Sequence, residues 1–186
     1  MRIHKEIMLS GSGGQGLILA GIILAEAAIS DGLNCVQTQS YGPEARGGSS
    51  KAEVIISDNI INYPNIMQCD ILLSLTEDAC KKYICSLKPG GTLILDSKIN
   101  LPERRDIDIW HVPILDTALL DLKNPVVSNI VALGTLSGII NIVSEYSIIT
   151  SILNRVPYEL RDLNKKAFYK GLKLQEQGEK YLYERK

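Results

Sequence analysis

The chain has 186 residues, a net charge of −1, 45% hydrophobic residues and 22% charged ones, which suits one ordinary globular core and little more. Near-neutrality argues against a general basic field for nucleic acid or an anionic membrane surface. Cys35, Cys69, Cys80 and Cys85 form no C-x-x-C pair, so the usual zinc and iron–sulfur spacings are missing.

Residues 6–10 read as a first strand that runs into Gly11-Ser12-Gly13-Gly14-Gln15-Gly16. A helix is expected over 15–30, apolar nearly all round and therefore buried, and Asp31-Gly32 ends it at a left-handed cap. Residues 34–38 form a second strand. Residues 41–48 cannot be regular, because Gly42, Pro43, Gly47 and Gly48 break both helix and strand. Residues 53–57 are rich in β-branched side chains and form a third strand. After the turn at 57–59, residues 60–62 are expected to pair back as a short hairpin.

Residues 70–74 form a further buried strand, and Thr76-Glu77-Asp78 opens a helix with acids in its first turn. Lys88-Pro89-Gly90-Gly91 reads as a turn, followed by a strand at 92–96 and a last strand at 106–111. Beyond Pro113 the chain is expected to be mainly helical. One helix spans 128–143. Another carries Leu160, Leu163, Ala167, Gly171 and Leu174 at helical spacing. The polar tail 175–186 is expected to fray. The alternation implies an α/β fold over 1–186 as a single domain: a Rossmann-like three-layer sandwich around a mainly parallel sheet, with a helical C-terminal third.

The apolar stretches 17–29 and 130–143 fall short of the roughly 20 residues a membrane span needs and read as core helices. The N-terminal segment lacks the form of a signal peptide, so reduced thiols and a cytoplasmic location are expected. His4 and His111 have no ligand-spaced neighbour, and no metal site is expected. Gly134 and Gly138 form G-x-x-x-G, which permits close helix approach in the core or at a subunit interface.

Gly11, Gly13 and Gly16 match G-x-G-x-x-G between a predicted strand and a predicted helix. Such a loop lets backbone approach a phosphate or carboxylate at a helix N-terminus. A dinucleotide site also needs an acid at the end of the second strand to hold the ribose. That strand ends in Gln37-Thr38-Gln39, and Asp31 stands in the turn before it. No Gly-Lys-Ser/Thr follows the loop, which excludes a phosphate-loop NTPase. A tight turn without ligand is the alternative reading of these glycines. The second loop, Gln39 to Ser49, should start at the same sheet edge, outside the carboxyl ends of the strands. In it Arg46 offers a two-pronged clamp for carboxylate or phosphate. Glu44 offers an ion-pair partner, and Tyr41 an aromatic face with a hydroxyl.

Five segments resemble the gamma subunits of 2-oxoacid:ferredoxin oxidoreductases. They are G-S-G-G-Q-G-L-I-L-A at 11–20, L-A-E-A-A at 24–28, S-Y-G-P-E-A-R-G-G at 40–48, A-E-V-I-I-S at 52–57 and L-K-P-G-G-T-L-I-L-D-S at 87–97. Asn129 with Ala132-Leu133-Gly134, and Asn164 with Ala167, fit the same pattern. The second loop is most similar to the 2-oxoglutarate branch. The resemblance implies a multi-subunit enzyme that oxidatively decarboxylates a 2-oxoacid, forms the acyl-CoA and reduces ferredoxin. It also implies thiamine diphosphate between alpha and beta subunits and iron–sulfur clusters on the beta and ferredoxin-like delta subunits, with no cofactor held by this chain alone. Gly11, Gly13, Gly14, Gln15 and Gly16 match the family's first loop. Tyr41, Gly42, Pro43, Glu44, Arg46, Gly47 and Gly48 match its second. The expected role of both loops is binding near coenzyme A or subunit contact, with no catalytic residue on this chain. A stand-alone NAD(P)- or flavin-binding oxidoreductase and a non-catalytic interaction domain are the alternatives.

Overall fold

In the computed structural model, residues 3–40 and 48–182 are described. One seven-stranded sheet has the order β2-β3-β1-β4-β5-β6-β7. Its centre is β1 (His4–Ser12), β4 (Cys69–Ser74), β5 (Leu87–Asp96) and β6 (Asp108–Val112), all parallel. β3 (Ser49–Ser57) runs antiparallel between β1 and β2 (Asn34–Ser40), and β7 (Glu179–Tyr181) closes the other end antiparallel to β6. The parallel expectation therefore holds for the centre, with antiparallel flanks. Central strands are covered on both faces, which is why 7–9 and 71–73 are unbroken apolar runs.

The two faces are unequal. One carries α1 (Leu17–Ser30), α4 (Ser128–Ile140), α5 (Glu145–Arg155) and α6 (Arg161–Gln177), around a core that includes Ile7, Ile23, Val54, Leu136 and Phe168. Among the described residues the other carries α2 (Glu77–Tyr83), the 3-10 turn that follows it and loops, over Met8, Ile55, Leu72 and Leu93. Between β6 and α4 lie a single turn, α3 (Ile114–Asp116), a π-turn at Thr117–Asp121 and a 3-10 turn at Pro125–Val127. Thr76 caps α2, its hydroxyl accepting the Ala79 N–H, as its sequence position predicts.

Four expectations are corrected. Residues 60–62 form no hairpin, because β1 and β2 already occupy both edges of β3. Residues 88–91 belong to β5, where a register shift against β4 and a left-handed Gly90 (φ 74°) absorb the irregularity within an extended strand. The strand at Asp108–Val112 is not the last, since part of the polar tail pairs with it as β7. The predicted helix 128–143 stops at Ile140, where Asn141 turns left-handed (φ 43°).

Candidate functional site

The first loop is held by two side chains, Gln15 and Asn129, that fold into space left by glycines. β1 ends in Gly11 and Ser12, and the chain turns through 13–16 into α1. The Gln15 carboxamide folds back so that its Oε1 accepts the Ser12 N–H at 2.8 Å, while the Gln15 N–H reaches the Ser12 carbonyl at 3.3 Å. This is possible only because residue 11 is glycine: a Cβ there would collide with Gln15 Oε1 and lie 2.8 Å from Leu17 Cδ1. Gly16 is left-handed (φ 72°) and forms the N-cap of α1, so the helix starts at Leu17 and not at Gln15. Asn129, on the first turn of α4, holds the loop down: its Nδ2 donates to the Gly16 carbonyl at 3.1 Å.

Gly13 and Gly14 form the open side of the loop. Nothing lies within 4 Å of a Cβ on Gly14, and Gly13 donates its N–H to the Gly48 carbonyl at 3.2 Å. Among the described residues no side chain caps α1, and the start of a helix carries first-turn N–H groups and a partial positive charge. The arrangement can hold an anion by backbone alone.

Register places the stems of the second loop beside the first. Gly11 and Ser12 pair with Ser50 and Ser49 of β3, and Ser40 at the end of β2 pairs with Lys51. The segment that leaves β2 thus starts and returns at the edge where the glycine loop lies, as expected. Of the predicted residues, Gly48 is brought to Gly13. Tyr41, Gly42, Pro43, Glu44, Arg46 and Gly47 lie outside the described residues.

Beneath the loop stems is a polar network that sequence reasoning missed. Glu53, 7% exposed on β3, accepts from Thr38 Oγ1 at 3.0 Å and from Lys51 Nζ at 2.5 Å. The Lys51 ammonium is 5.7 Å from the Tyr83 ring centre. Below the glycine loop the buried Ser10 and Ser74 hydroxyls share a 2.7 Å hydrogen bond. Thr38–Glu53 and Ser10–Ser74 join separate strands, so local spacing carried no signal for them, whereas Lys51 and Glu53 stand two residues apart on one face of β3. A period-two reading of 49–57 would have marked Glu53 as the charge on a buried strand.

Asp96 ends β5 at the same edge, fully buried. Burial pushes its carboxyl up, against the N–H groups of Leu115 and Lys98 that favour its ionised form. The acid that could have served a ribose is engaged elsewhere. Asp31, at the opposite sheet edge, accepts from the Ser144 N–H and from the hydroxyls of Ser144 and Ser147. β2 ends without an acid, so among the described residues that strand offers the glycine loop no ribose partner of a dinucleotide site.

The cysteines do not fit an iron–sulfur cluster, which takes four converging thiolates. They lie apart on β2, β4, α2 and the turn after it, and burial pushes Cys35 and Cys80 up to about 11 and Cys69 to about 12. Among the described residues no three of His, Cys, Asp and Glu are grouped to hold a metal ion. His111 lies on β6 with Nε2 2.9 Å from the Ile99 carbonyl. No described helix is long and apolar enough to cross a membrane.

Three comparisons bear on this geometry. The family model for pyruvate ferredoxin/flavodoxin oxidoreductase matches residues 6–174. The 2-oxoglutarate synthase subunit KorC of Methanocaldococcus jannaschii is 46% identical over 176 residues, covering 92% of this chain and 94% of that one. Among solved structures, a keto/oxoacid ferredoxin oxidoreductase gamma subunit from Geobacter sulfurreducens superposes with a TM-score of 0.86 at 45% identity, over 95% of this chain and 99% of that one. The 2-oxoglutarate:ferredoxin oxidoreductase of Magnetococcus marinus, solved with 2-oxoglutarate, coenzyme A and succinyl-CoA bound, shares the fold at a TM-score of 0.87 and 24% identity. It covers 96% of this chain but only 32% of its own.

Proposed function

Because the chain belongs to the pyruvate ferredoxin/flavodoxin oxidoreductase family, we propose that it is the gamma-type subunit of a 2-oxoglutarate:ferredoxin oxidoreductase. The observation that carries this reading is the 46% identity to a 2-oxoglutarate synthase subunit over nearly the whole of both chains. The assembly releases carbon dioxide from the 2-oxoacid, transfers the acyl group to coenzyme A and delivers two electrons to ferredoxin. Thiamine diphosphate supplies the carbanion chemistry when bound. It belongs to the alpha and beta partners, as the iron–sulfur clusters belong to the beta and delta partners, and the whole works in the cytoplasm.

This chain acts as one domain that adds a binding and assembly surface. Gly11, Gly13, Gly14, Gln15 and Gly16 form one half of it, and Tyr41, Gly42, Pro43, Glu44, Arg46, Gly47 and Gly48 the other. The open backbone at Gly13-Gly14 beside an uncapped helix start supports contact with an anionic group of coenzyme A. Arg46 adds a second, side-chain clamp.

Reconstitution tests the reading. The purified chain alone should give no 2-oxoglutarate-dependent ferredoxin reduction, and adding it to its alpha, beta and delta partners should restore full turnover with coenzyme A. Turnover by the isolated chain, or full turnover by the partners without it, would overturn the assignment.

A further inference from the structure

The two ends of the sheet are finished differently. β7 is three residues long and carries Glu179 and Lys180, two devices that discourage a foreign strand. β2 is seven residues long and reads Asn-Cys-Val-Gln-Thr-Gln-Ser, with no charge, proline or glycine. Its ladder with β3 runs from Asn34↔Ser57 to Ser40↔Lys51 without a register shift, so no bulge bends it away. Among the described residues no strand pairs with its outer side. That side presents a row of backbone N–H and C=O groups to which a further strand can add. Ile29 on the last turn of α1 (60% exposed) and Ile60 just past β3 (81% exposed) lie a few residues from its start.

We propose that β2 is the edge on which the partner subunit adds a strand, extending this sheet across the subunit boundary. This deepens the assembly role above and rests on it. The occupant follows from chain length. In the Magnetococcus marinus enzyme the same fold makes up 32% of one polypeptide, so there it is permanently joined to about twice its own length of other chain. That remainder is a heterologous, one-to-one neighbour, and the partner meant here is the subunit that corresponds to it. A closed β2–β2 pairing of two copies would consume the edge in a two-fold contact instead. Position favours the same partner. β2 ends at Ser40, on the sheet edge where Gly13 meets Gly48, so a strand laid along β2 leads the partner toward the candidate site.

Amide hydrogen exchange on the isolated chain and on the reconstituted, active complex tests this. In the isolated chain the outward amides of 34–40 should exchange quickly, and in the complex they should slow by about tenfold or more. The amides of 179–181 serve as the control and should not change. A Gln37→Lys/Gln39→Lys variant, which installs the missing guard charges, should weaken assembly by about tenfold while the isolated chain melts within a few degrees of the parent. Protection already present in the isolated chain, with a doubled mass by native mass spectrometry, would assign the edge to a second copy and overturn the proposal. An active complex with unprotected 34–40 would overturn it and leave the gamma-subunit assignment standing. Failure to form any active complex would remove both.

Discussion

Asp31 joins two helices through one carboxylate. It is the C-cap residue of α1, and its oxygens accept from the N–H and hydroxyl of Ser144, the N-cap of α5, and from the Ser147 hydroxyl in that helix's first turn. Burial works to raise its pKa, and the hydrogen bonds from the Ser144 N–H and the Ser147 and Ser144 hydroxyls outweigh it, leaving the carboxyl below its ordinary value. The positive end of α5 favours the same charged state. A group held below its ordinary pKa stabilises the fold fully above that ordinary value, near 4, and loses the contribution as pH falls through the lowered one. Asp31→Ala should therefore cost about 1 kcal/mol at pH 7, the size of a lost helix cap with allowance for solvent screening. The difference from the parent should shrink toward zero in urea melts as the pH is taken down from 5 to below 3. A gap of the same size at low pH would show that packing, not the carboxylate, holds the two helices. Asp31 stands at the sequence distance of a ribose acid but in the turn before β2, and its partner 113 residues away accounts for an acid there.

α4 and α6 approach so closely that their glycines are structural requirements. A Cβ on Gly134 would collide with the Phe168 carbonyl oxygen, and one on Gly171 with that of Val131 while lying 3.0 Å from the Thr135 N. The Thr135 hydroxyl sits in the seam, within hydrogen-bond distance of the Val131 and Gly171 carbonyls at 3.0 and 3.2 Å. G-x-x-x-G at 134–138 thus serves the core of this chain, one of the two roles its sequence allowed. The obstacles are backbone atoms, so Gly171→Ala must push a whole helix outward. Such overpacking costs about 3 kcal/mol, and the better helix propensity of alanine returns about 1. A net loss of about 2 kcal/mol in the urea midpoint with an unchanged m-value is the expected result. A variant as stable as the parent would mean that the two helices separate freely. Elements of this kind were readable because period and small residues are local signals. The hairpin assigned to 60–62 and the unseen β7 failed because edge availability is not local: β3 had no free edge and β6 had one.

At the scale of the molecule, one sheet edge gathers what the sequence distributes over more than a hundred residues. The glycine loop, the return at Gly48, the stems at Ser40 and Lys51, Asp96 and the clamp from Asn129 all meet there. The glycine motif was legible as the turn from β1 into α1 because its residues break helix and strand patterns. The supports were not legible as supports: Asn129 stood out only by resemblance, and Glu53 and Ser74 look like ordinary polar residues until β3 is seen to run antiparallel beside β1 and α4 to cover the loop. If that edge receives an anionic part of coenzyme A, Arg46 is the side chain whose charge and fork geometry suit it. Arg46→Ala in the assembled enzyme should then raise the KM for coenzyme A by about tenfold to a hundredfold, the worth of about 1.5–3 kcal/mol for a charge-assisted hydrogen bond. The KM for 2-oxoglutarate should stay as it was. Arg46→Lys keeps the charge but not the paired geometry, and should recover only part of the loss. If Arg46 instead serves assembly, the alanine variant will lose this subunit on dilution, with normal coenzyme A kinetics in whatever complex remains. An intact complex with parental kinetics would remove Arg46 from the site.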